Sequence, residues 1–274
     1  MTTPACPCGE PNLELLHTYT APPAGEVQFD FGDTEGYLRE LRRCPCCGHV
    51  ISTHGMDTSA LYGGAYVDAT YGDAEGLRRR YETVIGLPPE RSDNAGRVQR
   101  VVAYGGKRES GGSILDVGAG LCVFLHGMKR AGWTGTALDP DPRAAKHARE
   151  AVGVESVQAD FLEDDLTGLG QFDAIALNKV LEHVVDPARM LARCHELLAP
   201  GGFVYVELPD VEAFVEGPGR EEFFIDHWHV FSPASLALLV RSAGFRIDRL
   251  ERLREPSLKY TLFAFLREPT RGER

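Results

Sequence analysis

Short apolar runs alternate with amphipathic stretches from residue 113 almost to the end of the chain. Brief apolar runs bounded by glycine or polar residues are typical of buried strands, whereas apolar positions that recur every three to four residues indicate helices. The pattern predicts strands at residues 113–117, 135–139, 154–158, 172–177, 202–207, 245–250 and 260–266. It predicts helices at residues 122–131, 141–151, 187–198 and 232–243.

This order of elements predicts an α/β fold. Strands that alternate with helices pair in parallel, and helices then cover both faces of the sheet. The last two predicted strands have no helix between them, so they must pair antiparallel. We therefore predict a doubly wound, mostly parallel seven-stranded sheet that ends in an antiparallel hairpin, with a small N-terminal zinc-ribbon-like module.

Three regions follow from the pattern and the composition. Residues 1–55 are predicted to be the zinc-binding module, with short strands near residues 13–19 and 27–31. Residues 56–95 are rich in tyrosine and glycine and are interpreted as a connecting or lid segment. Residues 96–274 carry the alternating strands and helices and form the predicted catalytic domain.

The composition and the net charge limit the kinds of partner that the chain is expected to bind. The chain has 43% hydrophobic and 25% charged residues, an ordinary globular balance, and a net charge of −11. An acidic protein is poorly suited to hold a polyphosphate backbone, so no nucleic acid is expected. No apolar run reaches the roughly 18–20 residues of a membrane-spanning helix. The first residues lack the basic start and apolar stretch of a secretory signal, so we expect a cytoplasmic protein without a membrane partner.

Five of the seven cysteines lie before residue 50, in two groups that are far apart in sequence. Cys44 and Cys47 form a Cys-x2-Cys pair followed by glycine, which is typical of a zinc knuckle, and Cys6 and Cys8 form a tighter pair. An odd total and close pairs argue against a disulfide framework. We predict that these four thiolates hold a structural Zn²⁺ and leave no open position for water or substrate.

Two alternatives to this zinc site stay open. The thiols could be reduced and carry no metal. The ligand set could also differ, with His17 or His49 as a substitute ligand and Cys46 as a spare cysteine.

A glycine-rich turn follows the predicted strand at residues 113–117. Gly118 and Gly120 allow a sharp turn and a close approach of ligand to the backbone. Asp139 ends the next strand, where a carboxylate can accept hydrogen bonds from ribose hydroxyls. Val123 occupies the position where a nicotinamide-dinucleotide motif needs glycine or alanine, which argues against an oxidoreductase or epimerase.

Six sequence blocks together resemble the class I S-adenosylmethionine-dependent methyltransferases over residues 95–267. The blocks are LDVGAG at 115–120, LDPD at 138–141, ADF at 159–161, FDAI at 172–175, NKVLEHV at 178–184 and LAPGG at 198–202. One departure is Cys122, which stands where the family often has a third glycine.

The resemblance implies S-adenosyl-L-methionine as the cofactor and S-adenosyl-L-homocysteine as the product. It places the glycine turn at the methionine portion, Asp139 at the ribose, and Asp160 with Phe161 at the adenine. The cofactor-binding residues that it implies are Asp116, Gly118, Gly120, Asp139, Pro140, Asp160, Phe161, Asn178 and Val180.

The N-terminal cysteine pairs also resemble those of a subgroup of these enzymes that carries an N-terminal zinc-binding module. This subgroup includes sugar C-methyltransferases and methyltransferases of polysaccharide loci. The resemblance implies C- or O-methylation of a sugar or sugar nucleotide in surface-polysaccharide or natural-product biosynthesis.

Candidate acceptor-site residues follow the strands at residues 172–177 and 202–207. Histidine titrates near neutral pH and can take a proton from a hydroxyl or a carbon acid. His227 lies where the family places substrate-facing residues, so we predict that it is the general base. The catalytic candidates are His227, His229, Glu182, His183 and Glu207. The alternative for each of these residues is a structural role, in which the side chain caps a helix or bonds to the backbone.

Tyr62, Tyr66 and Tyr71 form a separate group of candidates. They could close over the sulfonium by cation–π contact, or they could simply pack a seam between domains.

The leading functional prediction is therefore a small-molecule methyltransferase, monomeric or homodimeric. The alternatives are an N-methyltransferase of another small metabolite and a non-catalytic scaffold that keeps the cofactor fold. A zinc-ribbon RNA methyltransferase is disfavoured by the net charge of −11.

Overall fold

The structure is a computed structural model that describes residues 4–26, 37–56, 73–106 and 111–270. The strands of this part are β1 (Glu14–Tyr19), β2 (Arg39–Arg43), β3 (Val50–His54), β4 (Ser113–Val117), β5 (Thr134–Asp139), β6 (Glu155–Gln158), β7 (Phe172–Asn178), β8 (Leu198–Pro209), β9 (His229–Val230), β10 (Arg246–Arg254) and β11 (Tyr260–Arg267). The α-helices are α1 (Ala74–Ile85), α2 (Asp93–Gly105), α3 (Val123–Arg130), α4 (Pro142–His147), α5 (Pro187–Leu197) and α6 (Pro233–Ser242).

The larger sheet confirms the predicted α/β fold. Its seven strands run in the order β10-β11-β8-β7-β4-β5-β6. The strands from β8 to β6 are parallel, and β11 and β10 add antiparallel neighbours at one edge. The chain builds β5 and β6 on one side of β4 and then crosses to its other side for β7. This reversal of strand order opens a crevice at the carboxyl ends of the strands, where doubly wound sheets bind ligands.

Both faces of the larger sheet are covered by apolar side chains. Successive residues of a strand point to opposite faces. Leu115 therefore packs in one apolar cluster with buried residues of α5 and α6, while its neighbour Ile114 packs in another with residues of α2 and α3. The sheet is thus a rigid base on which the strand ends hold their positions.

The smaller sheet joins the N-terminal region to the rest of the molecule. Its strand order is β1-β2-β3-β9, and all neighbours are antiparallel. Strand β9 comes from the segment between β8 and α6, and Val50 pairs with Val230. The N-terminal cysteine region therefore shares a sheet with the segment between β8 and α6.

The sequence predicted β1 but missed β2 and β3, and the predicted strand at residues 27–31 lies outside the described residues. Strand β2 reads Arg-Glu-Leu-Arg-Arg, which has little of the apolar character expected of a strand. Arg39 is nevertheless fully buried and pairs with Glu26 over 3.1 Å. Because Arg39 is charged, the pattern of polar and apolar residues does not show that this position of β2 faces the protein interior.

No helix within the described ranges is long and apolar enough to cross a membrane.

Candidate active site

The glycine turn between β4 and α3 forms the floor of the crevice. The amide of Gly118 donates to the carbonyl of Leu138 over 2.8 Å, which ties the turn to the neighbouring strand β5. Gly118 has φ +68°, and a Cβ there would lie 3.0 Å from Cγ2 of Val180. Only glycine adopts this backbone conformation without strain and leaves the space open. Gly120 also has a positive φ, of +48°.

Asp139, at the end of β5, supports the same turn. Its Oδ2 accepts from the amide of Gly120 over 2.8 Å, and its Oδ1 accepts from the amide of Asp141 over 2.9 Å. Burial raises the pKa of Asp139, partly offset by these two amides. Each carboxylate oxygen has a further lone pair, so Asp139 can still accept from ligand hydroxyls. Pro140 is exposed directly beside it.

Asp116 and Asn178 meet where β4 and β7 end. The Asn178 side-chain amide donates to Oδ1 of Asp116 over 2.8 Å. Burial raises the pKa of Asp116 to about 7 despite this hydrogen bond. The Oδ1 atom of Asn178 is buried and has no hydrogen-bond partner among the described residues. The strand ends therefore present polar groups that a ligand in the crevice can satisfy.

Asp160 and Phe161 follow β6, and their side chains point in different directions. Asp160 is exposed, and its Oδ1 accepts from the amides of Leu162 and Glu163. The ring of Phe161 is only 3% exposed and lies in the apolar core, 5.7 Å from the guanidinium of Arg193. Phe161 can therefore offer an adenine its backbone but not the face of its ring.

Two arginines that the sequence analysis missed close the crevice from α2. Arg97 binds both carboxylate oxygens of Glu207, over 2.5 and 2.9 Å, and Arg100 binds Oε2 over 3.0 Å. Their spacing of three places both on one face of α2, a signal that the sequence did contain.

Glu207 is fully buried at the end of β8. Burial alone would raise the pKa of Glu207, but Arg97, Lys179 and Arg100 together hold it far below its usual range. A carboxylate so strongly stabilised in its ionised form is a poor proton acceptor. Glu207 thus anchors α2 beside the crevice, which corrects its place among the candidate catalytic groups.

A second polar cluster faces the crevice from the other side. Glu182 and His183 lie in a short helical turn after β7, and Asp226 and His227 lie in the segment before β9. The rings of His183 and His227 have centroids 4.8 Å apart. The side chains of both histidines are partly accessible, at 22% and 16%. We call these four residues the acceptor cluster.

The histidines of the acceptor cluster are held by backbone carbonyls. His183 Nδ1 donates to the carbonyl of Asp226 over 2.8 Å, and His227 Nδ1 donates to that of Glu222 over 2.9 Å. A carbonyl oxygen can only accept, so in each neutral ring the proton sits on Nδ1 and the lone pair on Nε2. A backbone-bonded role was the alternative to catalysis for these histidines. The same hydrogen bonds, however, leave a lone pair on Nε2 of each ring.

His229 lies outside the acceptor cluster, which corrects its place among the catalytic candidates. It is fully buried in β9, where its Nδ1 is 2.9 Å from Nε2 of His49. His49 Nδ1 in turn lies 3.1 Å from the Ser235 hydroxyl. Burial lowers the pKa of His229 to about 4 and that of His49 well below its usual range. These neutral rings join the N-terminal sheet to α6 and are unavailable as bases.

The four predicted zinc ligands converge on one point. Cys6 Sγ lies 3.4 Å from Cys8 Sγ and 3.3 Å from Cys47 Sγ, and Cys8 Sγ lies 3.4 Å from Cys44 Sγ. None of them forms a disulfide. Four converging thiols match the tetrahedral donor set that Zn²⁺ prefers in structural sites.

The substitute ligands considered from the sequence lie elsewhere. Cys46 is exposed and contacts Glu10, with its Sγ 3.6 Å from Oε2 of that residue. His17 packs on the ring of Tyr19, and His49 pairs with His229. The candidate lid residues Tyr62, Tyr66 and Tyr71 lie outside the described residues.

Comparisons with known proteins agree with this geometry. A family described as "Methyltransferase domain" matches residues 90–250. The ubiquinone biosynthesis O-methyltransferase of Xylella fastidiosa (strain 9a5c) is 34% identical over 161 residues, which are 53% of this chain and 65% of that protein. The chain thus spans a little less than two thirds of the length of this relative.

Solved structures share the fold. The 1,6-didemethyltoxoflavin-N1-methyltransferase of Burkholderia thailandensis superposes with a TM-score of 0.53 at 22% identity, over 83% of this chain and 99% of that one. The magnesium protoporphyrin IX methyltransferase of Synechocystis PCC 6803 gives a TM-score of 0.58 at 14% identity, over 78% and 100% of the two chains.

Proposed function

The chain belongs to the methyltransferase domain family, and on that premise we propose that it is an enzyme that methylates a small molecule with S-adenosyl-L-methionine. The observation that carries the proposal is the crevice between β4 and β7. One side of it offers the glycine turn and Asp139, and the other offers the acceptor cluster. A methyl donor bound at the first side would direct its methyl group toward the second.

The cofactor is held by the strand ends. Asp139 accepts from the ribose hydroxyls, while the Gly118–Gly120 turn and Asp116 surround the methionine portion. Asn178 and Val180 complete the crevice wall at the end of β7. Asp160, the backbone of Phe161 and Pro140 lie on the adenine and ribose side. The buried, unpaired Oδ1 of Asn178 supports this placement, because such an atom is paired in most folded proteins.

His227 is the group that removes the acceptor proton. Its Nε2 carries a lone pair because Nδ1 donates to the carbonyl of Glu222. The acceptor oxygen or carbon gives its proton to Nε2 and attacks the sulfonium methyl carbon. The C–S bond breaks, its electrons stay on sulfur, and S-adenosyl-L-homocysteine leaves. Glu182, His183 and Asp226 shape the pocket around this step.

The acceptor is a sugar or sugar nucleotide that is methylated at oxygen or carbon. The N-terminal cysteine module and the two histidines support this choice, because O- and C-methylation need a base. N-methylation of another small metabolite is the second candidate. The buried carboxylate of Glu182 favours it, since a carboxylate can bind an amine.

The cysteine cluster holds a structural zinc ion through Cys6, Cys8, Cys44 and Cys47. A bound zinc supplies folding free energy and no chemistry at the crevice, because its four protein ligands leave no open position. The neighbouring Ser232 hydroxyl donates to the carbonyl of Cys47 over 2.5 Å. The loaded cluster therefore holds α6 and β9 against the N-terminal sheet.

Calorimetry tests the cofactor and turnover tests the chemistry. S-adenosyl-L-homocysteine should bind the purified protein in a one-to-one ratio, whereas NAD should not bind. A screen of sugar nucleotides with labelled S-adenosyl-L-methionine then identifies the acceptor. Cofactor binding without turnover on any sugar, amine or phenol would favour the scaffold alternative. Metal analysis should find one zinc per chain, and a value well below one would remove the zinc proposal.

A further inference from the structure

Glu182 places a buried carboxyl group beside His183 and His227. Its side chain is 0% exposed, and neither carboxylate oxygen has a hydrogen-bond partner among the described residues. The nearby ammonium of Lys179 donates instead to the Thr261 hydroxyl over 3.0 Å. Burying an unpaired carboxylate costs several kcal/mol, so such a group needs a cation or a proton from outside the fold.

The rings of His183 and His227 each bring a ring nitrogen within 4.8 Å of a carboxylate oxygen of Glu182. Each ring donates its Nδ1 proton to a backbone carbonyl, which leaves Nε2 as the lone-pair nitrogen. A histidine that binds a metal through one nitrogen nearly always donates from the other to a carbonyl, a carboxylate or water. Both rings therefore show the backbone hydrogen bond that accompanies metal binding by histidine.

The three side chains are close enough to share one ion. One ligand atom from each of Glu182, His183 and His227 lies within 4.8 Å of the others. Ligands at roughly 2.0–2.2 Å from a metal lie up to about 4.4 Å apart, so a shift of a few tenths of an ångström completes the site. We propose that Glu182, His183 and His227 bind a divalent first-row transition metal ion.

The ligand types define which ion fits and what it does. Two imidazoles and one carboxylate suit ions such as Mn²⁺, Fe²⁺ or Zn²⁺, and this set leaves coordination positions open. Open positions on such an ion would suit an acceptor with two neighbouring oxygen functions, such as a vicinal diol. This substrate class rests on the proposed function, whereas the metal site stands without it.

A bound ion changes the role of His227. One lone pair serves one partner, so in the metal-bound enzyme His227 is a ligand and not the base. The ion instead lowers the pKa of the acceptor hydroxyl that it binds. That hydroxyl releases its proton to water, its oxygen attacks the sulfonium methyl carbon, and the electrons of the C–S bond stay on sulfur.

Titration of Mn²⁺ into the zinc-loaded protein tests the site. Mn²⁺ is the weakest binder of the first-row series and does not displace zinc from thiolates, so it reports only on a second site. Electron paramagnetic resonance of free Mn²⁺ and calorimetry should both give one Mn²⁺ per chain. Glu182→Gln, which keeps the shape and removes the charge, should weaken binding at least 100-fold, since loss of an outer partner alone costs about 10–100-fold.

Two further variants and a cofactor measurement complete the test. His227→Ala should weaken Mn²⁺ binding as Glu182→Gln does, while His195→Ala, at a histidine that stacks on Phe245 outside the site, should not. Circular dichroism confirms that each variant is folded. Absence of Mn²⁺ binding to the wild type, or unchanged binding in Glu182→Gln, would overturn the proposal.

S-adenosyl-L-homocysteine binding is measured on the same samples. Cofactor binding without Mn²⁺ binding would remove the metal site and leave the proposed function standing. Mn²⁺ binding without cofactor binding would support the metal site and contradict the proposed function.

Discussion

The two sides of the crevice are built in different ways. The cofactor side consists of short peptide segments at the ends of adjacent parallel strands, such as the glycine turn after β4 and Asp139 at the end of β5. The acceptor side brings together the turn after β7 and the segment before β9, and β9 itself is held by a strand from the N-terminal region. One side is a local motif, and the other exists only when distant parts of the chain meet.

Because of this difference, amino-acid substitutions on the two sides should have different effects. On the cofactor side, the turn is held by backbone amides that donate to the carbonyl of Leu138 and to the side chain of Asp139. On the acceptor side, the candidate groups are side chains, and His183 is positioned by a backbone carbonyl of another segment. We therefore expect substitutions on the acceptor side to affect turnover, and substitutions on the cofactor side to affect affinity.

The largest effect is expected for His227→Ala. Whether His227 removes a proton or holds a metal ion, its loss should lower turnover by roughly 10²–10⁴-fold and leave cofactor binding intact. Steady-state kinetics and calorimetry on the same protein measure the two quantities. His195→Ala serves as the matched control and should retain turnover. If His227→Ala also lost cofactor affinity, the expectation that acceptor-side substitutions affect only turnover would be wrong.

Asp139→Ala tests the cofactor side. It removes the acceptor for the ribose hydroxyls and should weaken S-adenosyl-L-methionine binding by about 1.5–3 kcal/mol. Asp139→Asn keeps one acceptor oxygen and should show a smaller loss. Because Gly120 loses its hydrogen-bond partner in Asp139→Ala, thermal unfolding must be measured alongside calorimetry. Equal affinity in all three proteins would show that β5 does not reach the ribose.

The buried His229 should make stability depend on pH. Its pKa is about 4 in the folded protein, below the value of about 6.5 in an unfolded chain. The unfolded state therefore takes up the proton first, and stability should fall as the pH drops from about 6.5 toward 4, by at most about 3 kcal/mol from this residue.

His229→Phe provides the comparison for this pH effect. The variant should lose this part of the pH dependence. Urea unfolding across that pH range, with the zinc content checked at each point, gives the measurement. Parallel curves for wild type and variant would mean that His229 is not buried in its neutral form.

Gly118→Ala should give the smallest effect. The left-handed backbone costs a non-glycine residue roughly 1–2 kcal/mol, and the new methyl group would lie 3.0 Å from Val180. Gly132→Ala is the matched control, because Gly132 has φ +89° and no neighbour within 4 Å of the added carbon. Only the Gly118 variant should weaken S-adenosyl-L-homocysteine binding, and the Val180→Ala double variant should recover part of the loss. Equal affinity in the two single variants would contradict the close approach.

The sequence allowed prediction of the sheet, its hairpin and the glycine turn, because each depends on residues close together in the chain. It did not show that His227 and His229 have different environments, although they are two residues apart. That difference comes from His49, which is 180 residues away from its partner His229. No pattern within a single sequence reports such a contact.

Charged residues concealed the remaining features. Arg39 is buried in β2 and Glu207 in β8, and each has a charged partner from another part of the chain. A pattern of polar and apolar positions treats such residues as exposed. The spacing of Arg97 and Arg100 on α2 indicated a shared face, but nothing in the sequence identified Glu207 as the residue that they bind.

The pairing of β3 with β9 also sets the order in which the molecule can be completed during synthesis. Residues 6–54, which carry the cysteine cluster and β1 to β3, leave the ribosome long before His229 and Val230. Until then one edge of β3 lacks its partner strand, and an unpaired edge is a template for association with other chains. A nascent or truncated chain that ends before residue 229 should therefore depend on chaperones. It lacks β9, the strand that completes the smaller sheet and is made late in synthesis.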